Sequence, residues 1–160
     1  MCRILFVGFR GKNNASGILA EQLSPEPLLL TNSGPGLKKD IDSSAGEYDY
    51  AVMFGVDKTL TSTVRIEKAA VRDGRKTVTV LDPEKIAETL EAAGITPVIS
   101  DNPAPCLCNE AYWHALVKYS GKAIFIHIPT IKHADAHFIE KMKSAFLKQV
   151  SVNACKLRSI

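Results

Sequence analysis

Apolar residues along the chain fall in short closed runs, separated by polar, glycine and proline breaks, and two kinds of run alternate. Residues 2–7 are mostly apolar and stop at Gly8, which predicts a buried strand. Residues 15–23 predict a short helix stopped near Pro25, and 27–31 a second strand. The stretch 32–36 is turn-rich, and 37–45 predicts a ragged helix. A further buried strand covers 50–54 and ends at Gly55. Residues 64–71 and 77–81 carry β-branched side chains on either side of Asp73-Gly74, as in a hairpin or two consecutive strands. Asp82-Pro83-Glu84 starts a helix with a capping acid, a proline at the first helical position and a first-turn acid. Ile86, Ala87, Leu90 and Ala93 form its apolar stripe, and Gly94 its stop. Residues 97–99 predict a short strand, and Tyr112, Ala115, Leu116 and Tyr119 have helical spacing over 108–119. Residues 123–128 are apolar on both faces apart from His127, the mark of a central strand. Phe138, Met142, Phe146 and Val150 recur every four residues on a last helix, and 151–160 carry no pattern.

Strands alternating with helices predict an α/β fold: one three-layer domain with a mostly parallel sheet flanked by helices. No repeat and no linker divides the chain, so residues 1–160 are expected to form a single domain of 17.4 kDa. A chain of this size buries roughly 70% of its unfolded surface. Hydrophobic and charged fractions of 46% and 23% argue against disorder and coiled coil. The net charge of +3 comes with no dense basic block, so no nucleic-acid partner is expected. No stretch approaches the ~20 apolar residues of a membrane span, and the opening residues lack a signal-peptide core. Cysteines 2, 106, 108 and 155 form no disulfide framework, which predicts reduced thiols and a cytoplasmic location.

The segment 100–110 (Ser-Asp-Asn-Pro-Ala-Pro-Cys-Leu-Cys-Asn-Glu) carries the densest candidate chemistry. Two prolines forbid helix up to 105 and an amphipathic helix follows, so Cys108 is expected at or just before a helix N-terminus. Unpaired N–H groups and the positive dipole end favour a thiolate there. A cysteine is also a common small core residue, and Cys106 reads as packing or a bystander thiol. His127 ends an apolar strand, where open α/β sheets build their sites, although a buried histidine bonded to backbone has the same pattern. Cys108 and His127 together suffice for thiol acyl transfer once a carboxylate orients the imidazole. Glu67 is a candidate for that role, although alternation alone would turn it to solvent. Residues 8–12 lack the spacing of a phosphate loop. His133 and His137 lie four apart on an expected helix but have no further ligands, and the Cys106–Cys108 pair has no second ligand pair.

Residues 124–129 (Ile-Phe-Ile-His-Ile-Pro) resemble the FIHVP histidine motif of the pyroglutamyl peptidase I family, the cysteine-type pyrrolidone-carboxylate peptidases. Ser100 through Leu107-Cys108-Asn109, followed by Tyr112, is similar to that family's S…AG…VCN…Y cysteine motif. Residues 64–70, with Glu67, resemble its ERVA segment, and 4–9 its VTGF start. Residues 90–100 resemble its helix, glycine and strand entering the cysteine loop. The order agrees along nearly the whole chain. The resemblance implies a phosphorylase/hydrolase-like α/β fold and a cysteine omega peptidase acting on a small peptide. Cys108 would be the nucleophile, His127 the general base and then acid, and Glu67 the group orienting the imidazole. Phe9 would supply an aromatic wall for substrate. Neither metal nor other cofactor is implied, and a homo-oligomer is allowed. The specificity parts depart from the pattern. Loop 10–16 is short, 55–60 replaces a GQAGGR loop, and Ala104-Pro105 replaces the AG. A segment carrying an arginine near the oxyanion site is missing, with Arg72 and Arg75 as candidates to replace it. Two further readings follow: a weak or inactive relative that binds a small peptide or cyclic amide, and, on fold analogy alone, a nucleoside- or phosphate-binding domain.

Overall fold

The apolar runs pair side by side in one six-stranded sheet. A computed structural model describes residues 2–103 and 105–152, with 148–152 as backbone only. The strands are β1 (Ile4–Phe9), β2 (Leu28–Leu30), β3 (Tyr50–Val56), β4 (Thr63–Glu67), β7 (Thr96–Ser100) and β8 (Ala123–Ile128), in the order β2-β1-β3-β8-β4-β7. Strands β5 (Ala69–Arg72) and β6 (Arg75–Val78) form a separate antiparallel hairpin. The helices are α1 (Ala15–Leu23), α2 (Gly34–Asp42), α3 (Pro83–Ala92), α4 (Leu107–Lys118) and α5 (Ala136–Val152). One apolar cluster, with Leu19, Ile86 and Phe146, packs α1, α3 and α5 on one face; another, with Leu37 and Tyr112, packs α2 and α4 on the other. The predicted three-layer α/β fold is therefore observed. Neighbours run parallel except at β8 and β4, which pair antiparallel.

Several boundaries differ from the sequence expectation for identifiable reasons. Gly8 does not end β1 but lies inside it, because a Cβ there would meet the Ser16 carbonyl oxygen at 2.3 Å: the glycine lets α1 press onto the strand. The stretch 32–36 is not only turn. Ser33 caps α2, its hydroxyl accepting from the Gly36 N–H at 3.1 Å, and Gly34-Pro35-Gly36 form the first helical turn. Residues 64–71 are two strands in two sheets, parted at Lys68. The Lys68 N–H donates to the Ser100 carbonyl, and its own carbonyl accepts from the Thr79 N–H, each at 2.9 Å. The expected turn at Asp73-Gly74 closes the hairpin with positive φ at both positions (49° and 72°). Asp82 caps α3 as predicted, accepting from the N–H groups of Glu84 and Lys85. His133 lies in a turn before α5, so it shares no helix face with His137. Residues 153–160 and the Val150 side chain lie outside the described residues. No described helix is long and apolar enough to cross a membrane.

Candidate active site

Period-two alternation and strand register place four side chains on one face of the sheet. Arg65 of β4 sits opposite His127 of β8, Glu67 opposite Phe125, and Gly55 of β3 opposite His127 on the other side. This is the face covered by α4, whose N-terminus comes down over Gly55. A Cβ on Gly55 would lie 2.6 Å from Cys108 Sγ, so the absent side chain is the space the thiol occupies. Above this row opens a cavity of ≈ 840 Å³, lined among others by Cys106, Cys108, His127, Glu67, Arg65 and Asp57.

Two residues of the Cys-Asn…Tyr motif fix α4 in place. Asn109 acts as a short mock strand: its Oδ1 accepts from the Val71 N–H at 2.9 Å and its Nδ2 donates to the Val71 carbonyl at 2.8 Å. The Tyr112 hydroxyl donates to the Glu67 carbonyl at 2.9 Å. Helix start, hairpin and the strand carrying Glu67 are thereby joined through side chains.

Cys108, His127 and Glu67 are brought together. His127 Nδ1 lies 3.0 Å from Glu67 Oε1, both residues being buried. A carboxylate only accepts, so Nδ1–H donates and Nε2 faces the thiols. The sulfurs of Cys106 and Cys108 and a His127 ring nitrogen all lie within 4.8 Å of one another. Glu67, which alternation would turn to solvent, is 6% exposed because α4 covers that face. Burial alone would raise its carboxyl. The hydrogen bonds and charges of His127 and Arg65 outweigh burial and hold it below the usual carboxylate range. For His127 burial opposes the charged form, but the hydrogen bonds to Cys106 and Glu67 raise it above the ordinary imidazole value.

Cys106 is neither core packing nor a bystander. It is exposed and is the N-cap of α4, its Sγ accepting from the Asn109 N–H at 3.4 Å. Cys106 itself is extended, and the helix begins at Leu107, so Cys108 lies one step inside it. The thiol of Cys106 is lowered to about 4, first by the hydrogen bond from Cys108, then by His127 and by the N–H groups of Asn109 and Cys108. That same hydrogen bond, with burial, pushes the Cys108 thiol up. The two thiols are thus coupled to each other, and both lie beside one imidazole.

Arg65 and Asp57 were absent from the sequence candidates. Arg65 Nε donates to Glu67 Oε1 at 2.6 Å and Nη1 contacts Asp57 Oδ2 at 2.8 Å. The i, i+2 spacing of Arg65 and Glu67 on one strand was the available signal. Burial opposes the Asp57 charge, but Thr59 and Arg65 hold its carboxyl down at about 2. Arg72 and Arg75 do not take the site arginine's place: Arg72 Nη1 donates to His114 Nε2 at 3.0 Å, Arg75 is exposed on the hairpin, and neither lines the cavity. Phe9 does not reach it either; it is 4% exposed in the core with Leu30 and Leu37. Beside the Cys106–Cys108 pair β8 places one further ligand type, His127, rather than a second ligand pair.

No family profile matches the chain, and no curated protein matches it in sequence. Solved structures do match. Pyrrolidone carboxyl peptidase from Thermococcus litoralis superposes with a TM-score of 0.71 at 20% identity, over 94% of this chain and 95% of that one. Pyroglutamyl peptidase I of Bacillus amyloliquefaciens gives 0.73 at 16% identity, over 91% and 95%. The pyrrolidone carboxyl peptidase of Fervidobacterium islandicum gives 0.68 at 18%, over 94% and 97%. This chain shares the fold of the pyrrolidone carboxyl peptidases along nearly its whole length.

Proposed function

We propose that the protein is a cysteine peptidase that removes a pyroglutamyl or related small group from the N-terminus of a peptide. One observation carries the reading: a thiol pair at a helix start faces the Nε2 side of a buried histidine whose Nδ1 is bonded to a buried carboxylate at 3.0 Å. In this reading Cys108 attacks the amide carbonyl and His127, held by Glu67, manages the proton. Attack requires the Cys108 proton to pass to His127. His127 then protonates the leaving amine, and water hydrolyses the thioester with His127 as base. N–H groups at the start of α4 stabilise the oxyanion. The fold shared with pyrrolidone carboxyl peptidases supports the same reading.

The test is turnover of a pyroglutamyl-arylamide by the reduced full chain, with Cys108→Ala, Cys106→Ser and His127→Ala alongside. Release of arylamine abolished by Cys108→Ala is the expected result. Activity that survives Cys108→Ala and vanishes in Cys106→Ser would move the nucleophile to the cap. Absence of turnover across small acyl-arylamides would leave the cavity as a binding site.

A further inference from the structure

We propose that Cys106, Cys108 and His127 form a binding site for Zn²⁺, with its fourth position open to the cavity. Their ligand atoms all lie within 4.8 Å of one another, and among the described residues no other group of histidine, cysteine and carboxylate side chains is gathered so closely. Tetrahedral ligands at ordinary zinc distances stand about 3.5–3.8 Å apart. Side-chain rotations that move each atom by about an ångström therefore close the set. Two of the ligands come from one helix start and the third from a strand end, so the backbone holds them independently of the ion.

The donor set narrows the choice of cation. Two sulfurs and one imidazole nitrogen suit zinc or a soft monovalent metal and reject magnesium and calcium, which want oxygen. His127 is oriented as a metal ligand requires. Its Nδ1 is engaged by Glu67 at 3.0 Å, so Nε2 is the nitrogen turned towards the sulfurs, and the carboxylate behind it raises the basicity of the ring. Glu67 Oε2 is buried with no hydrogen-bond partner of its own, so this carboxylate keeps acceptor capacity beside the site. Cys106 is exposed, which gives the ion an entry path, and the cavity leaves room for water or a substrate group as fourth ligand. The inference stands apart from the peptidase reading. If both hold, the ion and the acyl group compete for the Cys108 sulfur, and zinc inhibits.

The experiment needs no substrate. The reduced full chain is titrated with Co²⁺ and followed by thiolate-to-cobalt charge-transfer absorption, after which Zn²⁺ is added as competitor. One cobalt per chain, displaced by zinc and not by Mg²⁺, is the expected result. Cys106→Ser lies at an exposed position and leaves the core untouched; it should reduce or abolish the absorption and weaken zinc at least tenfold. Glu67→Gln keeps the volume behind His127 and should weaken zinc by roughly 10- to 100-fold. Urea unfolding of both variants confirms that the fold is retained. No thiolate–cobalt absorption in the native chain overturns the site. So does a band of unchanged strength in both Cys106→Ser and His127→Ala, because the ion would then lie on other thiols.

Discussion

Replacing Gly55 by alanine should disable the thiol while leaving the fold standing. The added Cβ would lie 2.6 Å from Cys108 Sγ, 2.6 Å from Phe125 Cζ and 2.9 Å from its Cε1. Ordinary carbon contacts begin near 3.5 Å, so one neighbour must yield by about 1 Å. The Phe125 ring is held between Tyr112, at 5.7 Å between centroids, and His127, at 4.9 Å. It can retreat only by moving the His127 imidazole. Cys108 has one side-chain torsion and a helical backbone, so turning away takes the sulfur from His127. Either response displaces the thiol or the imidazole by about an ångström, which in the proposed reaction costs on the order of 10²-fold in rate. Overpacking of this kind costs typically ~1–3 kcal/mol, which a urea midpoint resolves. The assay pairs kcat/KM on a pyroglutamyl-arylamide with the rate of Cys108 alkylation by iodoacetamide, so the geometry is read even without a substrate. If turnover, alkylation and unfolding midpoint all match the native chain, the account of Gly55 as the pocket for the sulfur is wrong.

The Asp57 carboxyl is held at about 2 against an ordinary 3.8 despite burial, by Thr59 and Arg65. Its contribution to stability is full above the ordinary value and is lost as pH falls towards 2. Asp57→Asn should therefore flatten the stability–pH curve in that acid window, and urea midpoints taken across it that fall as steeply as in the native chain would contradict this. Asn109→Ala leaves the part-buried N–H and C=O of Val71 without partners and should cost ~1–3 kcal/mol, with faster hydrogen exchange at Val71. An unchanged amide there would show that the hairpin stays docked by other means. With Phe9 in the core, the aromatic wall that the resemblance implies is not supplied by it, which should cost ~1–3 kcal/mol of discrimination, roughly 10- to 200-fold. Comparable kcat/KM values for pyroglutamyl, prolyl and alanyl arylamides are expected; strong pyroglutamyl selectivity in a demonstrated monomer would refute it.

Local rules read some elements nearly to the residue. The bounds of β8 match their apolar run, and α3 follows its Asp82 cap and Pro83. Where local rules failed, the deciding contact came from far along the chain. Alternation runs smoothly through Lys68, yet the strand breaks there because Ser100 and Thr79 take that residue's backbone groups. The same alternation puts Arg65 and Glu67 on one face, but nothing local says that α4 will cover it. Gly34-Pro35-Gly36 has the composition of a turn and becomes helix because Ser33 caps it. At the site, the motif residues pointed to Cys108, His127 and Glu67. Cys106 reads from sequence as packing or a bystander thiol, because its meeting with His127 comes only with the tertiary fold.

The reversed direction of β4 divides the site into parts that can change at different rates. His127 and Glu67 belong to neighbouring strands joined by a hydrogen-bonded ladder, so their spacing is a property of the sheet. The thiols instead sit at the cap and first turn of α4, and cavity walls come from the turns after β3 and β7. Insertions or trimming in those connections can reshape what enters without detuning the imidazole. Changes aimed at what enters the cavity belong in 58–62, with Asp57 and the β4–β8 pair left alone.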